Sequence, residues 1–382
     1  MAESSRHNLY IGAAETAFGE TPPTQTWEYL RHTSDGLSTT KSEIVSAELY
    51  ADRGIRDARH GNKTGAGEVA VELSYNSFNN VLKGALQGAW VNGSETVTAD
   101  TISFAASDNS INDSGSGLNG FTVGQPIEIT LADNSGIVVP TSVAAGKVVC
   151  VGMTFTDEAA GSDVTLTEMD SIKRGTTRYS YPVLRDFADL TNGRYGLFTG
   201  QEINTASFSI GLDAIITGSF GFMGKAGSSS ASAPSGATLG SATTTEPLTG
   251  HQGALFEGDV EDAVITALDW SISNGLEAKH ILHSEDPIGH GTNRSEVTGS
   301  ITAYFDNDTL LNKFLNETVS NIIYTFTDSA GNKFGWFFPR VKYNTGDNPV
   351  GGEANTPISM GFRALFDSAT FSTDVIVFKL DA

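Results

Sequence analysis

The sequence predicts an all-β protein with short helices, built as two similar tandem domains with a small β domain inserted into the first. Three observations carry this reading. Glycine is abundant, 42 of 382 residues, and clusters of Gly, Ser, Thr, Asn and Asp punctuate the chain as turns between short strands require. Apolar residues alternate with polar ones far more often than they follow the helical period. The same order of features also occurs twice along the chain.

The elements follow in chain order. Val69, Val71, Leu73 and Tyr75 alternate with Ala70, Glu72 and Ser74, the pattern of a half-buried strand. Phe78, Val81, Leu82, Ala85 and Leu86 then recur at helical spacing. That helix is too short to stand alone and must pack on a sheet. Short alternating runs follow at 101–104, 126–131, 146–151 and 164–167, then at 208–210 and 215–222. Residues 226–254 are rich in Gly, Ser, Ala and Thr and read as a flexible linker. Beyond it, Leu310, Leu311, Phe314 and Leu315 mark a second short helix over 309–315, with Asp306–Asp308 as its expected cap. Runs at 322–326, 336–338 and 375–380 complete the strands.

The internal repeat sets the domain boundaries. Glu68-Val69 and Glu296-Val297 each open a strand after a polar loop, and each strand leads into one of the short helices. Arg194-Tyr195-Gly196-Leu197-Phe198 matches Lys333-Phe334-Gly335-Trp336-Phe337, and Ser219-Phe220 matches Gly361-Phe362. The first copy is longer between helix and later strand. The division expected is therefore a first domain of residues 1–91 and 173–225, an insert of 92–172, a linker of 226–254 and a second domain of 255–382. The second copy closes the same connection without an insert. The insert should thus be peripheral, and its removal should leave assembly intact.

Net charge is −22, from 23 basic and 45 acidic residues, which argues against a grip on a phosphate backbone. Residues 96–170 alone carry ten acidic residues and only Lys147 as a base. The single cysteine, Cys150, excludes an intrachain disulfide framework and a cysteine-based zinc site. The opening residues carry no signal-peptide pattern, and no apolar run approaches membrane-spanning length, so the expectation is a soluble chain made in a cytoplasm.

No catalytic constellation emerges, and no cofactor is expected. Residues 115–120 fit GxGxxG, but they sit between short strands rather than opening a helix, and read as a turn. His280, His283 and His290 cluster in a polar loop and are the nearest approach to a metal-binding set. The loop 52–63 differs from the rest. It holds Arg53, Arg56, Arg59 and Lys63 against Asp52 and Asp57, a basic stretch in an acidic chain. Its counterpart, 284–294, holds Glu285 and Asp286 against Arg294, with His290 between them. These loops are either solvated or dock on neighbouring subunits.

The opening Leu9-Tyr10-Ile11-Gly12, the run Trp27-Glu28-Tyr29-Leu30-Arg31, the loop 56–63 and the stretch 305–317 together resemble a phage major tail protein, the tail tube subunit of long flexible-tailed phages. The resemblance spans both copies and implies two tandem tail-tube-type β-sandwich domains. It further implies a structural virion protein made in the host cytoplasm, whose domains join edge to edge into rings of six and whose long loop reaches the adjacent ring. On that basis Arg53, Arg56, Arg59, Lys63, Glu285, Asp286, His290 and Arg294 are the candidate contact residues. The implied partners are other copies of the chain, a tape measure protein, and tail terminator and tip proteins. DNA would pass through without specific binding, and no membrane insertion is implied. With two domains per chain, three chains would complete a ring.

Six domains lending about four strands each, at ~4.8 Å per strand and a tilt near 40°, give a barrel roughly 48 Å across at the backbone. That bore clears duplex DNA. A secreted or cell-surface adhesin would share the acidic, glycine-rich, cysteine-poor composition but would be expected to carry a signal peptide. A carbohydrate-active enzyme would want convergent carboxylates and exposed tryptophans, and the chain has four Trp.

Overall fold

The computed structural model describes residues 7–191, 194–261, 264–346 and 357–382. Strands dominate them, and the two α-helices among them are α1 (Asn79–Leu86) and α2 (Thr309–Leu315), both where the apolar spacing put them. The strands form a 20-stranded sheet, a seven-stranded sheet and a two-stranded hairpin. None of the described helices is long and apolar enough to cross a membrane.

One pairing scheme occurs twice. In the first half His7–Ile11 pairs with Tyr181–Phe187, which pairs with Tyr195–Gly211, then Thr217–Gly224, then Ala58–Glu72, all antiparallel. In the second half Gly253–Glu257 pairs with Val319–Thr327, which pairs with Lys333–Tyr343, then Pro357–Ala364, then Glu296–Tyr304. A bulge falls at the same step in each, between Tyr181 and Val183 and between Ser320 and Ile322.

The strand Tyr195–Gly211 serves both layers. Its first part pairs with Tyr181–Phe187. From Glu202 on, through a register shift between Ile203 and Thr205, it pairs with Thr217–Gly224 on one edge. On its other edge Thr205–Gly211 pairs with 267–273 of the strand Ile265–Ser273, so the two halves share one sheet. Alternation sends Ala206, Phe208 and Ile210 into the core, where they meet Leu268, Trp270 and Ile272 from across the seam. Trp336 closes this cluster from the opposite layer, with ring centroids 5.3 Å from Phe208 and 5.5 Å from Trp270. α1 adds Val81, Leu82, Ala85 and Leu86 to the same core. It approaches so closely that a Cβ on Gly84 would lie 2.7 Å from Ile203 and 2.9 Å from Tyr181. Polar bonds hold the seam's end: buried Asn274 donates to the carbonyls of Ala85 (2.9 Å) and Ile203 (3.0 Å).

Several expectations need correcting. Residues 226–254 are not a free tether. Ser228–Ser230 pairs with Tyr195–Gly211, Ala237–Leu239 adds in parallel to Gln25–Tyr29, and Leu248 is buried in the main core. Backbone ladders need no apolar side chains, so composition hid this. At α2 the N-cap residue, Asp308, falls within the expected 306–308 but makes no side-chain cap bond; Asn307 accepts from the Thr309 N–H at 2.9 Å instead. The glycine-rich 115–120 is a turn, as read, held by Asp113 accepting from Gly115 and Gly117 N–H groups.

The seven-stranded sheet spans Thr96–Ala99 to Val164–Glu168 and has its own core, including Ile111, Ile127, Val148 and Leu166. It is not loosely appended. Its Ile137 and Val139 pack with Met169 against Ile323, Phe337 and Phe378 of the second half. Glu128 pairs with Lys333, and Asp259 accepts from the N–H of Gly152 (2.5 Å) and, through its carbonyl, from Thr154 Oγ1 (2.7 Å). Removing residues 96–168 would therefore bare an apolar face of the second half. The shortened chain is expected to bind an apolar dye and melt earlier; an unchanged melting temperature without dye binding would contradict this packing.

The tryptophan at the centre gives a second expectation. Trp336→Ala should cost about 3–5 kcal/mol, because the rings around it belong to four different strands and cannot collapse together. Chemical denaturation measures it directly, and a loss under about 1 kcal/mol would mean that the halves are held by the backbone ladder alone.

Candidate inter-subunit surface

Two arms leave the shared sheet, the first as a continuation of its strands and the second as a separate two-stranded hairpin. Arm one is the ribbon of Ser38–Val45 against Ala58–Glu72, with residues 46–57 as its tip. Half of the basic loop read from the sequence is thus strand: the ladder already covers Ala58 to Lys63. Every residue of Ser38–Val45 is exposed. The end of the arm exposes Ile44 and Val45 of the ribbon and Tyr50, Ile55 and, at 98%, Leu49 of the tip. Arg56 pairs with Asp52, and Arg59 with Asp57 at 3.1 Å, so these two bases are answered within their own loop. Arg53 takes φ +63°, the left-handed turn of the tip.

Arm two is the hairpin Leu276–Lys279 with Gly289–Thr292. It folds onto the first half of the same chain. His290 is buried there, its Nδ1 3.1 Å from Glu202 Oε1. Arg178 forks onto Glu202 with bonds of 2.6 and 2.8 Å and donates a further one, at 2.8 Å, to the His290 carbonyl. Phe18 stacks edge-on against the imidazole, with centroids 5.3 Å apart. Nearer the tip, Lys63 of arm one lies 3.3 Å from Asp286 and 3.7 Å from Glu285, and its N–H donates to the Glu285 carbonyl at 2.9 Å.

The candidate residues therefore divide. Lys63, Glu285 and Asp286 do meet, but inside one chain. His290 is sealed within the subunit, which removes it from any exposed contact set and from a histidine cluster for metal; no group of three or more potential ligands lies together among the described residues. Arg294 is exposed and pairs with Glu296. Arg53, Arg56 and Arg59 remain on the open arm. Sequence reasoning missed Arg178, Glu202 and Phe18, which lie far from the arm along the chain and belong to no motif.

A sequence profile of the family described as phage tail tube protein matches residues 4–372. This chain belongs to that family. The tail tube protein is a structural component of the virion, not an enzyme, and the family role implies self-association into a tube. Among solved structures it is similar to the SPP1 tail tube, determined by solid-state NMR and cryo-EM, at 10% identity, over 47% of this chain and 77% of that one, with a TM-score of 0.20. No curated protein gives a significant match.

Glu202 gives the tail tube protein a pH-dependent clamp. Burial pushes its pKa up, but the bonds from His290 and Arg178 outweigh this and hold it below the ordinary carboxylate range. A depressed carboxylate stabilises above its unfolded pKa of about 4.3 and loses that contribution as pH falls through the folded value. Arm two should accordingly gain hydrogen exchange below about pH 4. Glu202→Gln should reproduce that loosening at neutral pH, costing roughly 1–3 kcal/mol. Unchanged exchange of residues 276–292 in the variant would rule out the clamp.

Proposed function

We propose that three chains close a ring with pseudo-sixfold symmetry, and that stacked rings form a conduit through which DNA passes. The domains are those expected from the repeat: 1–91 with 173–225, and 255–382, with 92–172 inserted on the outer side and 226–254 running between them. The observation that carries this reading is the seam between Thr205–Gly211 and its partners Ala267–Ser273. It joins one half to a second half of like pairing, edge to edge, through a continuous main-chain ladder. A junction of that kind repeated around an axis closes a barrel and removes its open edges.

The face of the shared sheet turned away from the core suits such a bore. Alternation puts Ser207, Ser209, Asp269, Ser271, Thr298 and Ser300 on it, and Glu68 and Glu72 on the neighbouring strand. Arg363 shares this face but is paired with Glu296 at 3.1 Å. Small hydroxyls with net negative charge give a smooth wall that repels phosphate, with no counterion release to hold the duplex. The terminator, tip and tape measure partners follow from the family role.

Cryo-electron microscopy of tubes grown from the purified chain tests the ring. Six domains from three chains, with a strand ladder across each chain boundary, are expected. Six whole chains per ring, or chains meeting through side chains only, would overturn the proposal.

A further inference from the structure

Arm two has a seat; arm one is held at its base, where Lys63 meets Glu285 and Asp286, but its tip has no seat among the described residues. The repeat in pairing says where that seat would be. In the first half the seat is Arg178 and Glu202, which stand three residues before Tyr181 and one after Gln201, the pair at the bulge. In the second half the corresponding pair at the bulge is Ser320 with Val341, and the same offsets land on Glu317 and Lys342. These two also form an ion pair, at 2.5 Å, with the charges exchanged. Whereas Glu202 is covered by arm two, Glu317 is exposed, with Leu315 and Val319 exposed beside it.

The position of arm one directs it outward. Arm two springs from the strand at the seam. Arm one springs from the opposite margin of the first half, where Ser38–Val45 is bonded on one side only, to Ala58–Glu72. Its base meets arm two of its own second half through Lys63, and the sheet of that half lies on the far side of the seam. The apolar tip and the exposed Leu315 and Val319 are therefore surfaces of like character with no partner among the described residues.

Building on the ring proposed above, we infer that arm one of each chain docks on the Glu317–Lys342 seat of a second copy, as arm two docks on Arg178–Glu202 of its own. The exchange of charge makes the two seats selective. The first seat offers a carboxylate to the His290 imidazole and a guanidinium to its carbonyl. The second offers Lys342 where the carboxylate was and Glu317 where the guanidinium was, and so calls for an acceptor and a cation in exchanged places. Arm one carries His60 beside the exposed Asp57–Arg59 pair, which would open on docking to present an acceptor and a cation. Arm two, with Glu285 and Asp286, would bring like charge to Glu317. First halves thus follow second halves around the ring.

The lone Cys150 is buried, which allows a clean cross-linking test. Chains bearing only His60→Cys and chains bearing only Glu317→Cys are mixed, assembled and treated with a short bismaleimide. A covalent dimer linked through positions 60 and 317 is expected in assembled material, at several times the yield of the 60–60 or 317–317 products. Tubes that give no 60–317 product overturn the docking and leave the ring reading standing; a mixture that stays monomeric with the wild-type chain also monomeric overturns both. The paired exchange Glu317→Lys with Lys342→Glu keeps the internal ion pair and should raise the critical concentration for assembly about tenfold. An unchanged critical concentration, in tubes of normal appearance, would also refute the seat.

Discussion

The structure depends on one seam. Seven residues of a first-half strand pair with seven of a second-half strand, and the side chains pointing inward from both, Phe208 and Trp270 above all, meet on Trp336. Main-chain bonds fix the register there, and the aromatic cluster prevents slippage, since a shift of one residue would turn every apolar side chain out of the core. Two halves that could have been separate beads are therefore one folding unit. This explains why Asn274, at the end of the seam strand, is buried and bonded to carbonyls of the first half.

The insert extends the same logic. Although it interrupts the first half, its apolar edge is spent on the second, through Ile137 and Val139. Asp170–Lys173, the strand that returns from it, pairs with Ile376–Leu380 near the end of the chain. Sequence neighbours and spatial neighbours are thus exchanged: the segment is hosted by one half and buttresses the other.

Both helices and the alternating strands were legible because each is written in side-chain periodicity. Val69 to Leu73 and Trp336 to Phe338 fill the core as their pattern implied. What could not be read is structure made by the backbone or by distant partners. The arm-one ladder runs through Thr, Lys, Gly and Asn, and faces solvent on both sides, so it has no apolar period. The short strands at Ser228–Ser230 and Ala237–Leu239 are equally silent. Arg178, Glu202 and His290 come from three separate stretches, and only the fold brings them within bonding distance. The histidine grouping misled for the same reason: nearness in sequence placed three rings in one loop, whereas the hairpin turned His290 inward.

The pre-formed seam also bears on the kinetics of growth. Joining two like bodies in one chain makes every second junction of the proposed ring intramolecular, with a local concentration set by the chain rather than by the solution. Three diffusing bodies must then meet where six would have been needed, which lowers the reaction order of nucleation and lets closed rings arise from dilute protein. The chain so built trades modularity for reliability, since a defect in either half is carried by both.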